Sequence, residues 1–527
     1  VLQVSYVPSK SKKHCMQRVL FFILGCISLG AHAQQPSDAL RFSWTTQGGT
    51  ARNQAIGGAM GSLGGDVSAT FVNPAGLAFY KTGDLVITPQ FQFGKTKASY
   101  LGGNDKDKTA RFTAGTTGFV IGSGDNRGNV RNSALSIAIN RVANFNSDVV
   151  YTGMNNQSSV SQMFVEELNA SGRTDGGITS LFPNGSSLAF NTYWIDPVYD
   201  AAGNVTGFTT KSPIGTGLIQ QQRIKNRGGI TELALGLAVN LQDKFMIGGS
   251  IGVPFVGYKR DAEFLEADAS DDRTNNFNYG SYREKYSTAG AGFNVKLGAI
   301  YKPAEFWRLG LALHSPTFMA LTDVYEYEVE TDAEFANEEV WTDYSRDYNR
   351  GEASQFKYTL TTPYKVIGSI SYVLREIQDV TKQRGFLTAD VEYVNHKASS
   401  YGVEDEANAH SDDIAYLKSV NKAIDKAYKG TFNFRVGGEL KFTTIMVRLG
   451  AAYYGNPYKD IAGEKGHRLN LSGGLGYRNK GFFVDLTYVH ATTKDVHVPY
   501  RLQTAPYSAA TLKSGMGNAL LTFGFKI

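Results

Sequence analysis

The sequence predicts an all-β protein: an antiparallel transmembrane β-barrel of about fourteen strands, plugged by an N-terminal hatch. Three observations lead there. The first residues have the layout of an export signal. The rest of the chain alternates apolar and polar residues in long runs. The connections between those runs are short and long in turn. Composition agrees, with 58 glycines, 29 tyrosines and 14 prolines in 527 residues and a mean hydropathy of -0.25. After the N-terminus no apolar run approaches the roughly 20 residues a spanning helix needs.

The first element expected is a signal peptide over residues 1–33. Lys10, Lys12, Lys13 and Arg18 precede the apolar run "VLFFILGCISLGA", and "AHA" ends a small-x-small cleavage pattern at Ala33. Met16 is a candidate true start, because "MQRVLFFILG" already opens a complete signal. Removal of these residues takes the formal net charge from +5 to +1 and removes both cysteines, Cys15 and Cys26. A mature chain without thiols forms no disulfide and no thiolate metal site. Its near-neutral charge argues against nucleic acid as a partner.

The second element, residues 34–82, is expected to be the hatch. It runs through "GGTARNQAIGGAMGSLGGD" into "SATFVNPAGLAFY". Gly57, Gly58, Gly61, Gly64 and Gly65 permit rearrangement or close fit. Asn73 can tie a turn through its side chain, Pro74 fixes φ, and Ala75 is small enough to lie against a wall. Phe71 is the large apolar residue beside this motif.

The third element, residues 83–527, is expected to be the barrel. "TFNFRVGGELKF" puts Phe432, Phe434, Val436, Leu440 and Phe442 on one face and Arg435, Glu439 and Lys441 on the other. "TIMVRLGAAYY", "RLNLSGGLGY" and "ALLTFGFKI" repeat the pattern, which means one apolar and one wet face. Strand centres fall near Ile87, Ala114, Ile137, Leu235, Ile251, Val295, Leu311, Ile367, Val391, Phe434, Val447, Leu471, Leu486 and Phe523. Short turns such as "LQDKF" and "RNKG" would lie on the periplasmic side. Long connections near 153–228, 262–279, 329–352, 399–429, 456–466 and 495–514 would lie outside. A soluble sandwich explains so many consecutive long strands poorly. Two connections carry helical stripes: Val160, Met163, Phe164 and Leu168, and Ile414, Leu417, Val420, Ile424 and Tyr428. These either pack on the barrel rim or form a landing surface for an apolar cargo.

An export signal, a glycine-rich plug with Asn73-Pro74-Ala75 and about fourteen strands together resemble the FadL/TodX family of outer-membrane transporters. The resemblance extends through "ALSIAINRVANFNSDVVYTG", "ITELALGLAVNLQ" and "DKFMIGGSIGVPFVGYKRD". It implies passive uptake of long-chain fatty acids or other hydrophobic compounds across the outer membrane of a Gram-negative bacterium. It also implies capture at outer loops, a shift of the hatch around Phe71 and Asn73–Ala75, and lateral exit at a kink in the third strand. The phase of Leu135, Ile137 and Ile139 breaks at "NRVANF", so the kink is expected at Asn140, Arg141, Val142, Ala143 and Asn144. The loop after that strand is longer than the family pattern, and the chain ends on Ile527 rather than an aromatic residue.

Among the inward charges, Arg435, Arg448 and Arg468 are candidates to hold a carboxylate head group, since a guanidinium suits a bidentate anion; the alternative is a bracing network. The expected surroundings are membrane lipid and lipopolysaccharide, with no cofactor, no metal and a monomeric state. A general porin or an adhesive barrel is the competing function. His314-Ser315 is the one tempting catalytic pair, but neighbouring strand residues point to opposite faces, so no enzyme is expected.

Overall fold

The computed structural model describes residues 36–46, 48–124, 128–270, 272–334, 340–374, 384–459 and 466–527. The expected export signal lies outside them. Fourteen antiparallel strands form one closed barrel. They are β1 (84–100), β2 (103–124), β3 (130–155), β4 (Leu218–Leu241), β5 (Phe245–Asp268), β6 (Tyr279–Ala304) and β7 (307–332). Then follow β8 (354–374), β9 (385–402), β10 (Gly430–Phe442), β11 (Ile445–Tyr454), β12 (Arg468–Asn479), β13 (Phe482–His497) and β14 (Ala510–Lys526). The ring closes where β14 pairs with β1, with Leu85 opposite Phe525 and Gln90 opposite Leu520. Each expected strand centre falls in its own strand.

The outer wall is apolar because period-two residues such as Leu235, Leu237, Ile247, Ile251, Leu449 and Leu471 point away from the lumen and stay exposed. So large an apolar surface belongs in a bilayer. Two aromatic belts bound it. Phe245, Tyr301, Trp307, Phe442 and Phe482 mark the short-turn end; Phe91, Phe112, Phe255, Phe293 and Tyr488 mark the other. Ten residues of β5 separate Phe245 from Phe255, about 33 Å along the strand, or about 25 Å of height at a tilt of about 40°.

Several outer connections are shorter than their expected bounds, because β4–β7 continue well past Phe255. Cross-strand partners of opposite charge sustain the sheet there, as where Arg283 meets Glu263 at 2.9 Å and Glu328 at 2.7 Å. Above that extension the loop between β3 and β4 folds into a cap. Its helices are Ser161–Ser171, Ile178–Leu181 and Ser186–Asn191, followed by a small hairpin. Phe164, Leu168, Trp194 and Phe208 form the cap core with Phe264 of β5, Phe277, Val329 of β7 and Tyr500. The helix Ser411–Ala427 turns Leu417, Val420 and Ile424 inward, against Leu40 and Phe42 of the hatch and tyrosines of the barrel mouth. Most of each helical stripe is therefore packed within the protein rather than presented as a landing surface.

Candidate functional site

Residues 36–46 and 48–82 fill the lumen as short helices and turns. The wall receives them through glycines whose places a side chain would contest. A Cβ on Gly298 would lie 1.8 Å from Asn73 Oδ1, and one on Gly248 2.5 Å from the Pro74 carbonyl carbon. A Cβ on Gly310 would meet Gly61, and Cβ atoms on Gly437 and Gly450 would meet Ile56 and Gly57. Gly57 itself has φ +69° and lies against the Ala451 backbone, which excludes a side chain twice over.

Hydrogen bonds complete the seat. Asn73 Nδ2 donates to the carbonyl of Gly61 at 2.6 Å, with longer contacts to those of Ala299 (3.3 Å) and Leu311 (3.4 Å). Asn73 Oδ1 accepts from the Ala75 N–H at 3.1 Å, capping the turn that Pro74 begins. Ser250 and Thr487 donate to the carbonyls of Thr70 and Ala51, and the Gly61 N–H donates to Asp390. Gly58 has φ +76° in the turn leaving the helix Ala51–Ala55.

A chamber of about 90 Å³ lies on the outer side of the hatch. Phe42, Phe71, Val142, Ile230, Pro254 and Met319 supply its apolar lining; Asn140, Glu232, Asn294, Lys296, His314, Lys365 and Glu392 supply the polar part. Lys296 pairs with Glu232 and also donates to Asn294 Oδ1 at 2.6 Å. Lys365 donates to Thr45 Oγ1 at 2.6 Å. His314 Nε2 lies 2.8 Å from the Val72 carbonyl, while Ser315 Oγ donates to the Pro316 carbonyl, so the two side chains are engaged separately.

Strand β3 adjoins this chamber through Asn140 and Val142. Along β3 the pairing with β4 slips between Arg141 and Ala143, leaving Val142 as the extra residue. Val142 and Phe145 both turn in toward the mouth cluster, and Ala143 is buried there. Arg141 Nη2 donates to the Gly228 carbonyl at 2.5 Å, Asn140 Oδ1 accepts from Thr116, and the Asn144 amide reaches Gln92 of β1. On its other edge β3 pairs with β2 from Asn132 to Ile139. Among the described residues no ladder joins β2 to β3 beyond Thr117 and Ile139, although both strands continue. Aromatic rings rise from here to the mouth, with Phe42 and Phe145 5.7 Å apart and Phe145 and Tyr258 5.6 Å apart.

The three candidate arginines lie apart from the chamber lining. Arg435 pairs with Glu392 at 2.6 Å, and Arg448 bridges Glu439 and Asp485, each at 2.5 Å. Arg468 stacks on Trp44 of the hatch at 3.8 Å. The cations that reach the chamber are Lys296 and Lys365, which sequence reasoning did not single out. Lys296 had a signal, since it sits between outward Val295 and Leu297 in strict alternation. Lys365 lies at the start of a strand segment, where alternation is short.

Where β5 meets the outer cap, Glu266 is wholly buried. It accepts hydrogen bonds from the Val160 N–H at 2.8 Å and Gln220 Nε2 at 2.6 Å, and from Ser159. Burial nevertheless pushes its carboxyl up to about 7, against the opposing pull of these donors.

The fold and the site define a hatch-plugged, lipid-facing β-barrel with an internal chamber. No family model and no curated protein matches the sequence. Among solved structures it is similar to the toluene transporter TodX of P. putida, at 13% identity and a TM-score of 0.49, over 91% of this chain and 99% of that one. It is also similar to a Pseudomonas aeruginosa FadL homologue, at 14% identity and 0.49, over 92% and 99%. The Ralstonia pickettii toluene transporter TbuX gives 13% and 0.46, over 91% and 99%. The barrel assignment stands on the strand pairing and belts described above.

Proposed function

We propose that this barrel carries hydrophobic small molecules, such as long-chain fatty acids or aromatic hydrocarbons, passively across the outer membrane. The observation that carries the proposal is the interrupted β2–β3 ladder beside an aromatic-lined chamber above a hatch. A polar solute has no use for an opening toward lipid. An apolar one does, because passage through water costs about 0.8 kcal/mol per CH₂.

Cargo enters among the mouth aromatics, reaches the chamber and leaves sideways between β2 and β3. At about 90 Å³ the chamber is well below the roughly 300 Å³ of an ordinary ligand pocket. Phe42 or Phe71 must therefore move before a long chain fits, and both belong to the hatch. Lys365 and Lys296 are the cations placed to meet a carboxylate head group.

Deletion of Val142 tests the proposal, because it removes the extra residue and lets β3 pair with β4 in register. Uptake of labelled oleate and toluene should fall at least ten-fold, while heat-modifiable gel migration stays that of the parent. Unchanged uptake in an assembled barrel would exclude lateral exit at β3. If deletion of the whole protein leaves uptake of both compounds intact, the porin or adhesin reading takes precedence.

A further inference from the structure

Above the outer aromatic belt, two parts of the wall treat charge in opposite ways. Across β4–β7 two outward rows alternate in sign, and in the row nearer the belt Lys259 faces an Arg227 that is paired with Asp148. Glu328, Arg283, Glu263 and Arg223 lie opposite one another in turn, as do Glu326, Lys285, Asp261 and Lys225. Across β13, β14, β1 and β2 the charged members of the corresponding rows are all lysine. Lys494 is opposite Lys513, Lys513 opposite Lys97, and Lys97 opposite Lys106; one step nearer the membrane Lys95 is opposite Lys108.

All six lysines are exposed, and none makes an ion pair among the described residues. The carboxylates on these strands, Asp105, Asp107 and Asp495, have the opposite parity; Asp105 accepts from the Thr152 N–H at 2.7 Å. Like charges directly opposite in a sheet destabilise it, so these rows call for anions from outside the chain.

Position says which anions. Lys95 lies two residues beyond Phe93, about 7 Å along the strand, and Phe93 stacks on Tyr488 in the belt. The four-strand row is about 14 Å wide, at about 4.8 Å per strand. This places six cations at head-group height on the surface that faces outer-leaflet lipid. Resting on the outer-membrane reading above, we infer that β13, β14, β1 and β2 form a binding site for the phosphates of a phosphorylated outer-leaflet glycolipid.

The test uses the full-length protein in an uncharged detergent, titrated with a diphosphorylated lipid A. Binding is read by native mass spectrometry and by the temperature of barrel unfolding. Lys97→Glu sets an opposite charge against both Lys513 and Lys106, leaving Lys494 opposite Lys513 as the one like-charged pair of the long row. It should raise the unfolding temperature without lipid and weaken lipid binding about 25-fold, taking about five-fold for each of two charge units. Arg283→Gln on the balanced wall should leave binding as in the parent. Dephosphorylated lipid should bind neither protein. Equal lipid binding by parent and Lys97→Glu would overturn the inference, as would equal binding of the dephosphorylated lipid. A thermal shift reproduced by inorganic phosphate alone would also overturn it. Gel migration of each variant reports the barrel separately, so loss of the fold and loss of the site are distinguishable.

Discussion

The hatch and the outer cap both close the barrel, yet they are held by different physics. The cap has an aromatic core of its own, with Trp194 fully buried among Phe164, Phe277 and barrel residues. The hatch packs small and aliphatic side chains on the wall, as Ile56, Met60 and Leu63 do against Ile367 and Phe386, and adds close glycine contacts and single hydrogen bonds such as Ser472 to the Ala55 carbonyl at 3.0 Å. Each such bond is worth about 0.5–1.5 kcal/mol net, whereas a buried aromatic ring contributes several times more. The cap is thus organised around its own aromatic core, whereas the hatch, among the described residues, has no aromatic core of its own and takes its packing and hydrogen bonds from the wall.

The largest effect is expected from Trp194→Ala. Loss of a fully buried ring should destabilise the cap by about 3–5 kcal/mol, seen as faster hydrogen exchange over 156–217. The hatch should remain protected. Equal loosening of the hatch would erase the distinction between the two.

Acidity should act on the cap next. The Glu266 carboxyl is held up to about 7 in the fold against 4.5 when free. Between those values the folded state binds the extra proton, so cap stability is greatest at low pH and falls as pH rises toward 7, by about 3 kcal/mol in all. Glu266→Gln should flatten the dependence in limited proteolysis between pH 4.5 and 7.5. An unchanged pH profile would mean that another group titrates.

A smaller change is expected at the hatch. Asn73→Ala with Pro74→Ala removes the turn cap and the bond to Gly61, at about 1–3 kcal/mol. The barrel should assemble, oleate uptake should change, and small hydrophilic solutes should stay excluded. Parental uptake by the double variant would refute a role for this motif in gating. Smallest of all, Arg283→Gln on the balanced wall should cost at most about 1 kcal/mol in thermal unfolding, since exposed ion pairs contribute little.

Much of the barrel was legible in the residues themselves. Period two placed Leu449, Leu471 and Phe523 outward without any knowledge of their partners, because strand geometry alone puts alternate side chains on opposite faces. The slip at Asn140–Asn144 was legible for the same reason, as a break in that period. The arginines were harder. Arg435 and Lys296 look alike in alternating strands, but only the assembled lumen shows Arg435 paired with Glu392 and Lys296 at the chamber wall.

What the sequence by itself determined is the set of local facts: which residues alternate, where turns fall, and where Pro74 breaks the chain. What only the tertiary structure decided is who meets whom. Gly298 reads as one more small polar-face residue until Asn73, far away in sequence, lies against it. Lys97 reads as an ordinary exposed cation until the register with β2 and β14 sets Lys106 and Lys513 opposite it, while the same geometry sets Glu263 beside Arg283. The reason is physical: side-chain direction is a property of one strand, but electrostatic and steric complementarity belong to pairs that only closure of the barrel brings together.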